Sequence, residues 1–233
     1  MRNPALHAPL LLVLTVFFAA GLRAEASAHP CAPNAENVLV CGEGPSALFV
    51  LDGTTSPSGN LAIAWRMSSP NADEAENYLV RLSDGKSLAL VVGRMWSNST
   101  GMANHVNQTV VWSPDSRWLL VGDSGKWALE ALAVYAVDES SGAVERLGIF
   151  RELSQAAAQF LKQRVGPAKA ETYVLDIASD KDMALADDGA VSLPLRFQVP
   201  KQDMDIGLLA RFTASLSGGK VAITSIKVTA DGE

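Results

Sequence analysis

Two cysteines and three histidines are all that this 233-residue chain contains, and those shortages exclude much of the chemistry that a small enzyme relies on. A nucleophilic triad needs a base beside its serine or cysteine. His7 and His29 lie near the N-terminus, which leaves His105 as the one base a hydrolase built on this chain would use. No GxSxG elbow accompanies it, and neither a GxGxxG after a strand nor a GxxxxGK[ST] loop is present. The paired carboxylates of glycoside hydrolysis remain the other catalytic option, since any two of the 25 acidic residues can meet in space.

Metal chemistry is short of ligands for the same reason. Cys31 and Cys41 enclose nine residues, and in an oxidising compartment such a pair is expected as a disulfide that pins the N-terminal segment. Bonded to each other, they leave no thiolate for a metal. The aspartates of SDKDMALADDG, namely Asp180, Asp182, Asp187 and Asp188, lack the glycine and terminal glutamate of a twelve-residue calcium loop. No metal and no cofactor is expected.

Long apolar runs are also missing. The longest, Leu10 to Ala20, spans about eleven residues, short of the roughly 20 that a membrane-spanning helix requires. It follows Arg2 and precedes the small-residue approach to Ala24, the pattern of a secretory signal peptide over residues 1–24. Periplasmic or extracellular residence is therefore expected, with no membrane span after cleavage. Removing that leader leaves 17 basic residues against 25 acidic ones, a formal charge of −8. A surface of that sign repels phosphate backbones, so nucleic acid is not expected as a partner.

What the chain does have is short apolar runs punctuated by turn residues, the pattern of antiparallel sheet. Strands are expected at 47–51, 61–67, 78–82, 88–92, 109–112, 118–121, 132–137 and 144–149. Turns of defined chemistry join several of them: SPSG at 56–59, SDGK at 83–86 and SPDS at 113–116. SPSGNLAIAW at 56–65 recurs as SPDSRWLLVG at 113–122, 57 residues later. Each copy is followed by a second apolar run and a glycine turn. The phrase WSPDSRWLLV resembles the strand-turn-strand signature of TolB-like and WD40-like β-propeller blades, over residues 56–92 and 110–150. Ser116 stands where the commonest form of that turn has glycine. The resemblance implies a mainly β fold of antiparallel, propeller-like meander repeats.

The period then changes. RELSQAAAQFLKQRV, 151–165, places Leu153, Ala156, Ala157, Phe160, Leu161 and Val165 on one helical face, and Gly166-Pro167 ends it. Strand alternation returns in AVSLPLRFQV, with Val191, Leu193, Leu195, Phe197 and Val199 in one phase, and Pro194 suggests an edge position. Leu208 to Leu216 alternates again, and VAITSIKV changes phase near Ser225, as a bulge would allow. The expected organisation is a leader at 1–24, a disulfide-pinned segment at 25–45, a repeated antiparallel region at 46–150, and an amphipathic helix with a C-terminal β segment at 151–233.

The long polar connection 93–108 is the expected recognition surface, because extended loops on a rigid scaffold often carry function. Met95, Trp96, Met102, Asn104 and His105 are its candidate ligand-binding residues. Trp65, Trp96, Trp112, Trp118 and Trp127 all fall within the repeated region, as core packing or as a platform for a glycan. The expectation is an exported binding or interaction protein with a protein, peptide or glycan partner. The alternative is a secreted hydrolase using His105, with Ser99 or Ser113 and Asp115, or an acid pair.

Overall fold

A computed structural model describes residues 30–69, 74–98, 101–102, 107–202 and 205–232. Three antiparallel sheets account for most of the described residues. The first is a seven-stranded meander: β1 (Ala32–Pro33), β2 (Leu39–Cys41), β3 (Leu48–Val50), β4 (Leu61–Met67), β5 (Glu74–Arg81), β6 (Lys86–Asn98) and β7 (Gly101–Met102). The second is a four-stranded meander of β8 (Asn107–Trp112), β9 (Trp118–Ser124), β10 (Leu129–Asp138) and β11 (Ala143–Gly148). Helices α1 (Phe150–Val165) and α2 (Pro167–Ala170) lead into the third sheet. Its strands are β12 (Val174–Ile177), β13 (Ala184–Leu185), β14 (Ala190–Gln198), β15 (Asp205–Ser217), β16 (Lys220–Ile223) and β17 (Lys227–Ala230).

The second sheet is the middle layer. Every residue of β9 is buried, and so is Leu132 to Val137 of β10. Side chains alternate across a strand, so the continuous apolar runs WLLV and LAVYAV feed two cores at once. Leu119, Val121, Ala133, Tyr135 and Val137 meet Leu61, Ile63, Leu79 and Val91 of the first sheet. Trp118, Leu120, Leu132, Val134 and Ala136 face the other way, against Leu153, Ala157 and Leu161 of α1 and the inward residues of β14 and β15. A sheet covered on both faces has no place for the polar alternation of a half-exposed strand.

This arrangement corrects the propeller-like reading. One sheet curls into a half-barrel and the others are meanders, with no closed ring of blades among the described residues. The first meander has seven strands and the second four, and the chain then builds a helix and a third sheet that covers the opposite face of the second. The repeat itself is a repeat of turn chemistry. Ser56 Oγ accepts the Leu61 N–H at 3.1 Å and Ser113 Oγ accepts the Trp118 N–H at 2.9 Å, the same bond across five residues in both copies. Gly59 and Ser116 occupy equivalent positions with φ of 74° and 63°. Both loops are fixed locally, so they recur without implying how the sheets are arranged.

The strand and helix expectations otherwise fall on observed elements. The β4 span 61–67 is reproduced, and α1 buries Leu153, Ala157 and Leu161. Cys31 and Cys41 form a disulfide, which ties the β1–β2 hairpin to itself. Two details differ from expectation. Pro194 is not on an edge: β14 pairs with β15 along one side, while β12 and β13 share the other and leave Pro194 in the gap between them. The Pro194 carbonyl accepts the Ala178 N–H on that side, where the missing donor of proline also falls. The phase change near Ser225 is a break between two strands, because β16 pairs with 214–217 of β15 and β17 with 208–211.

The two serine turns touch. Ser116 Oγ accepts the Ser58 N–H at 2.9 Å, and the Trp112 indole donates to the Thr54 carbonyl at 2.9 Å. Ser116→Ala is expected to cost about 1–2 kcal/mol in urea unfolding, because it keeps the left-handed backbone and strands a partly buried N–H. Ser116→Gly is expected within about 1 kcal/mol of wild type, since relief of the positive φ offsets the lost bond.

Candidate functional site

The interface between the first two sheets is apolar near the serine turns and polar at its far end, and the change begins at a bulge. Along β5, Glu76 pairs with Arg94 but Asn77 pairs with Val91, so Val92 and Gly93 of β6 have no partner on that strand. Side chains of the second sheet satisfy the Val92 backbone instead. Tyr135 Oη accepts the Val92 N–H at 2.9 Å, and Gln108 Nε2 donates to the Val92 carbonyl at 2.8 Å. Burial pushes the Tyr135 hydroxyl above its ordinary pKa, an effect partly offset by that N–H. Gly93 completes the bulge with φ of 102°, and a Cβ there would stand 2.8 Å from Gln108 Nε2.

Beyond the bulge lies a cavity of about 580 Å³. Asn77, Gln108, Asp123 and Ser124 line it from the first two sheets, and Asp176 and Arg196 from the third, with Asp52, Lys126 and Asp180 also in its wall. Asn77 is only 1% exposed, on the inward phase of β5 between Ala75 and Leu79. Neither its amide nitrogen nor its amide oxygen has a hydrogen-bond partner. Gln108 Oε1, Ser124 Oγ and Arg196 Nε are likewise buried without one. Arg196 donates through Nη2 to Asp176 at 3.0 Å, which anchors both charges.

The residues singled out from sequence lie elsewhere or outside what is described. Met95 and Trp96 fall in β6 and Met102 in β7, with their side chains outside the described part of the structure. Asn104, His105 and Ser99 lie outside the described residues, as do His7 and His29. The two described ends of the 93–108 connection, Gly93 and Gln108, do meet at the cavity. Ser113 and Asp115 are used in the turn: Ser113 Oγ donates to Asp115 Oδ1 at 2.6 Å while accepting from Trp118 N–H.

Four tryptophans have described side chains, and they do not form one exposed platform. Trp118 is buried, Trp65 stacks on Phe49 with ring centres 5.2 Å apart, and Trp112 is held by Thr54. Trp127 is 38% exposed, with Lys126 over its ring. Among the described residues no cluster of three or more His, Cys, Asp or Glu is placed to hold a metal ion. No helix among them is long and apolar enough to cross a membrane.

Sequence inspection missed Asn77, Gln108 and Asp123. The signal was present in EAENYLV, where an amide occupies the phase that alanine and leucine bury, and at the end of WLLVGDS, where an apolar run buried on both faces meets two polar residues. Comparison with known protein families and with characterised proteins finds no match for the chain.

A second groove, of about 750 Å³, runs between the serine turn of the second sheet and β15, over Trp118, Ala136, Ala214 and Leu216. Its carboxylates serve turns. Asp187 accepts the Asp115 N–H, Asp188 the Ala190 N–H, and Asp138 the hydroxyls of Ser140 and Ser141. Partial burial raises the pKa of the Asp115 carboxyl, but hydrogen bonds from Ser113 and Arg117 outweigh that effect and hold it at about 2. A folded pKa below the unfolded one gives stability that is present above pH about 4 and lost as pH falls towards 2. In urea titrations at pH 6, 4 and 2.5, wild type is expected to exceed Asp115→Asn by under about 1 kcal/mol at pH 6, given solvent screening, and to converge with it at pH 2.5.

Proposed function

We propose that this protein is an exported binding protein, resident in the periplasm or outside the cell, and that it holds a small polar ligand in the cavity at the junction of its three sheets. The observation that carries this reading is Asn77. A buried amide with both hydrogen-bonding atoms unmet costs about 1–3 kcal/mol relative to an apolar side chain of the same shape. A chain retains such a cost where the group is completed by something that binds, and a concave site with a few convergent polar groups is the usual form of a ligand pocket.

Other features support the same reading. At the Val92–Gly93 bulge the absence of a Cβ on Gly93 leaves room for the side chains of Asn77 and Gln108, which line the cavity. Walls contributed by three sheets give a rigid mould, and Arg196 is held in place by Asp176 rather than left to swing. The apolar run before Ala24 and the Cys31–Cys41 bond support export into an oxidising compartment.

Thermal unfolding of wild type and Asn77→Leu tests this function. The variant is expected to melt higher in the absence of ligand, by roughly 2–8 °C. Wild type alone is expected to gain stability from at least one member of a panel of amino acids, amines, sugars and small carboxylic acids. A variant that melts lower than wild type, with no compound in the panel shifting either protein, overturns the proposal.

A further inference from the structure

Building on the binding reading above, we infer that the cavity takes a saccharide unit, neutral or amino-substituted, and discriminates against anionic sugars. Charge weighs against an anion. Among the described residues the wall carries Asp52, Asp176 and Asp180 against Lys126 and Arg196, and Arg196 is committed to Asp176. Lys126 sits over the Trp127 ring, 5.1 Å from its centre. A phosphate or carboxylate entering this site meets a surplus of its own sign in a partly desolvated space, where repulsion is poorly screened.

The polar groups left unmet favour hydroxyls. Gln108 gives its amide nitrogen to the Val92 carbonyl, which leaves its oxygen, an acceptor, buried and unmet. Asn77 offers both a donor and an acceptor, Ser124 a hydroxyl, and Arg196 an N–H donor. Donors and acceptors are therefore interleaved. An alkyl ammonium, which only donates, satisfies Gln108 and the Asn77 oxygen but leaves the Asn77 nitrogen and the Arg196 N–H unmet. A hydroxyl both donates and accepts, and neighbouring hydroxyls on a ring match the paired donor and acceptor of one amide side chain.

Size and setting agree with this chemistry. A volume of about 580 Å³ lies within the range of small-molecule pockets and admits one or two sugar rings. Trp127 adjoins Lys126 of the wall, and its carbonyl accepts from Gln198, which also reaches Asp176. Its ring, 38% exposed and with Lys126 over it, is a neighbour of the wall rather than part of it.

Isothermal titration with glucose, galactose, N-acetylglucosamine, glucosamine, maltose, cellobiose and glucuronate, backed by a glycan array, tests the inference. At least one neutral or amino sugar is expected to bind wild type, more tightly than glucuronate. Asn77→Leu is expected to weaken that binding roughly ten- to a hundredfold, with Ser124→Ala and Trp127→Ala as milder, fold-sparing variants that weaken it less. Binding confined to amines, amino acids or anions overturns the saccharide class and leaves the cavity as a binding site. No sugar response, with Asn77→Leu still the more stable protein, also overturns it, whereas a destabilised Asn77→Leu together with an unresponsive wild type removes the binding reading as well.

Discussion

Burial of the two central strands of the second sheet, β9 and β10, on both faces is the constraint on which the rest of this structure depends. An antiparallel meander usually keeps one face in water and writes that into its sequence as alternation. Here β9 and β10 have no face for water, and each large side chain buried on them contributes about 1.5–3 kcal/mol only while its cover is present. The chain therefore needs two covers. It supplies one before the sheet, the seven-stranded meander, and one after it, the helix with the third sheet. The amphipathic stripe of α1 and the inward phases of β14 and β15 are answers to the same requirement.

A fully apolar interface has no binding chemistry, and the bulge in β6 is where this one changes character. Displacing Val92 and Gly93 from the β5 ladder frees an N–H and a carbonyl that burial would otherwise penalise. Tyr135 and Gln108 reach across from the second sheet to meet them, so the two sheets are joined by side chain to backbone where they are no longer joined by packing. The amide of Gln108 is oriented by this work, and its oxygen is left buried without a hydrogen-bond partner. One residue both repairs the bulge and lines the cavity.

Much of the secondary structure was legible because its causes are local. Serine and proline fix the turns, alternation marks β14 and β15, and Gly166-Pro167 ends α1. The arrangement of sheets was not legible from the 57-residue repeat, because that repeat encodes a turn held by a serine hydroxyl and says nothing of how many strands follow or what they pack against. A better guide lay in the continuous runs WLLV and LAVYAV, which no half-exposed strand carries. The site was hidden for a related reason. Met95, Trp96, Met102, Asn104 and His105 drew notice as polar or polarisable residues in a long connection, whereas Asn77 lies within a regular strand and is conspicuous only once its phase is known. Pro194 shows the same dependence on context: its missing donor is harmless in the middle of a sheet because two short strands divide the space beside it.

The repeated turns and the cavity are two ends of one design. Ser58 and Ser116, Trp112 and Thr54 bind the first and second sheets together beside Trp118, at the start of β9. Asp123 and Ser124 at its other end face the cavity, roughly 17 Å away at the rise of an extended strand. Between them the apolar contacts of Leu119 and Val121 act as a fulcrum. Holding one end closed by hydrogen bonds lets the other end stand open without the sheets sliding in register. The opening is a property of the whole interface, which is closed by the serine turns at one end and lined by polar residues at the other.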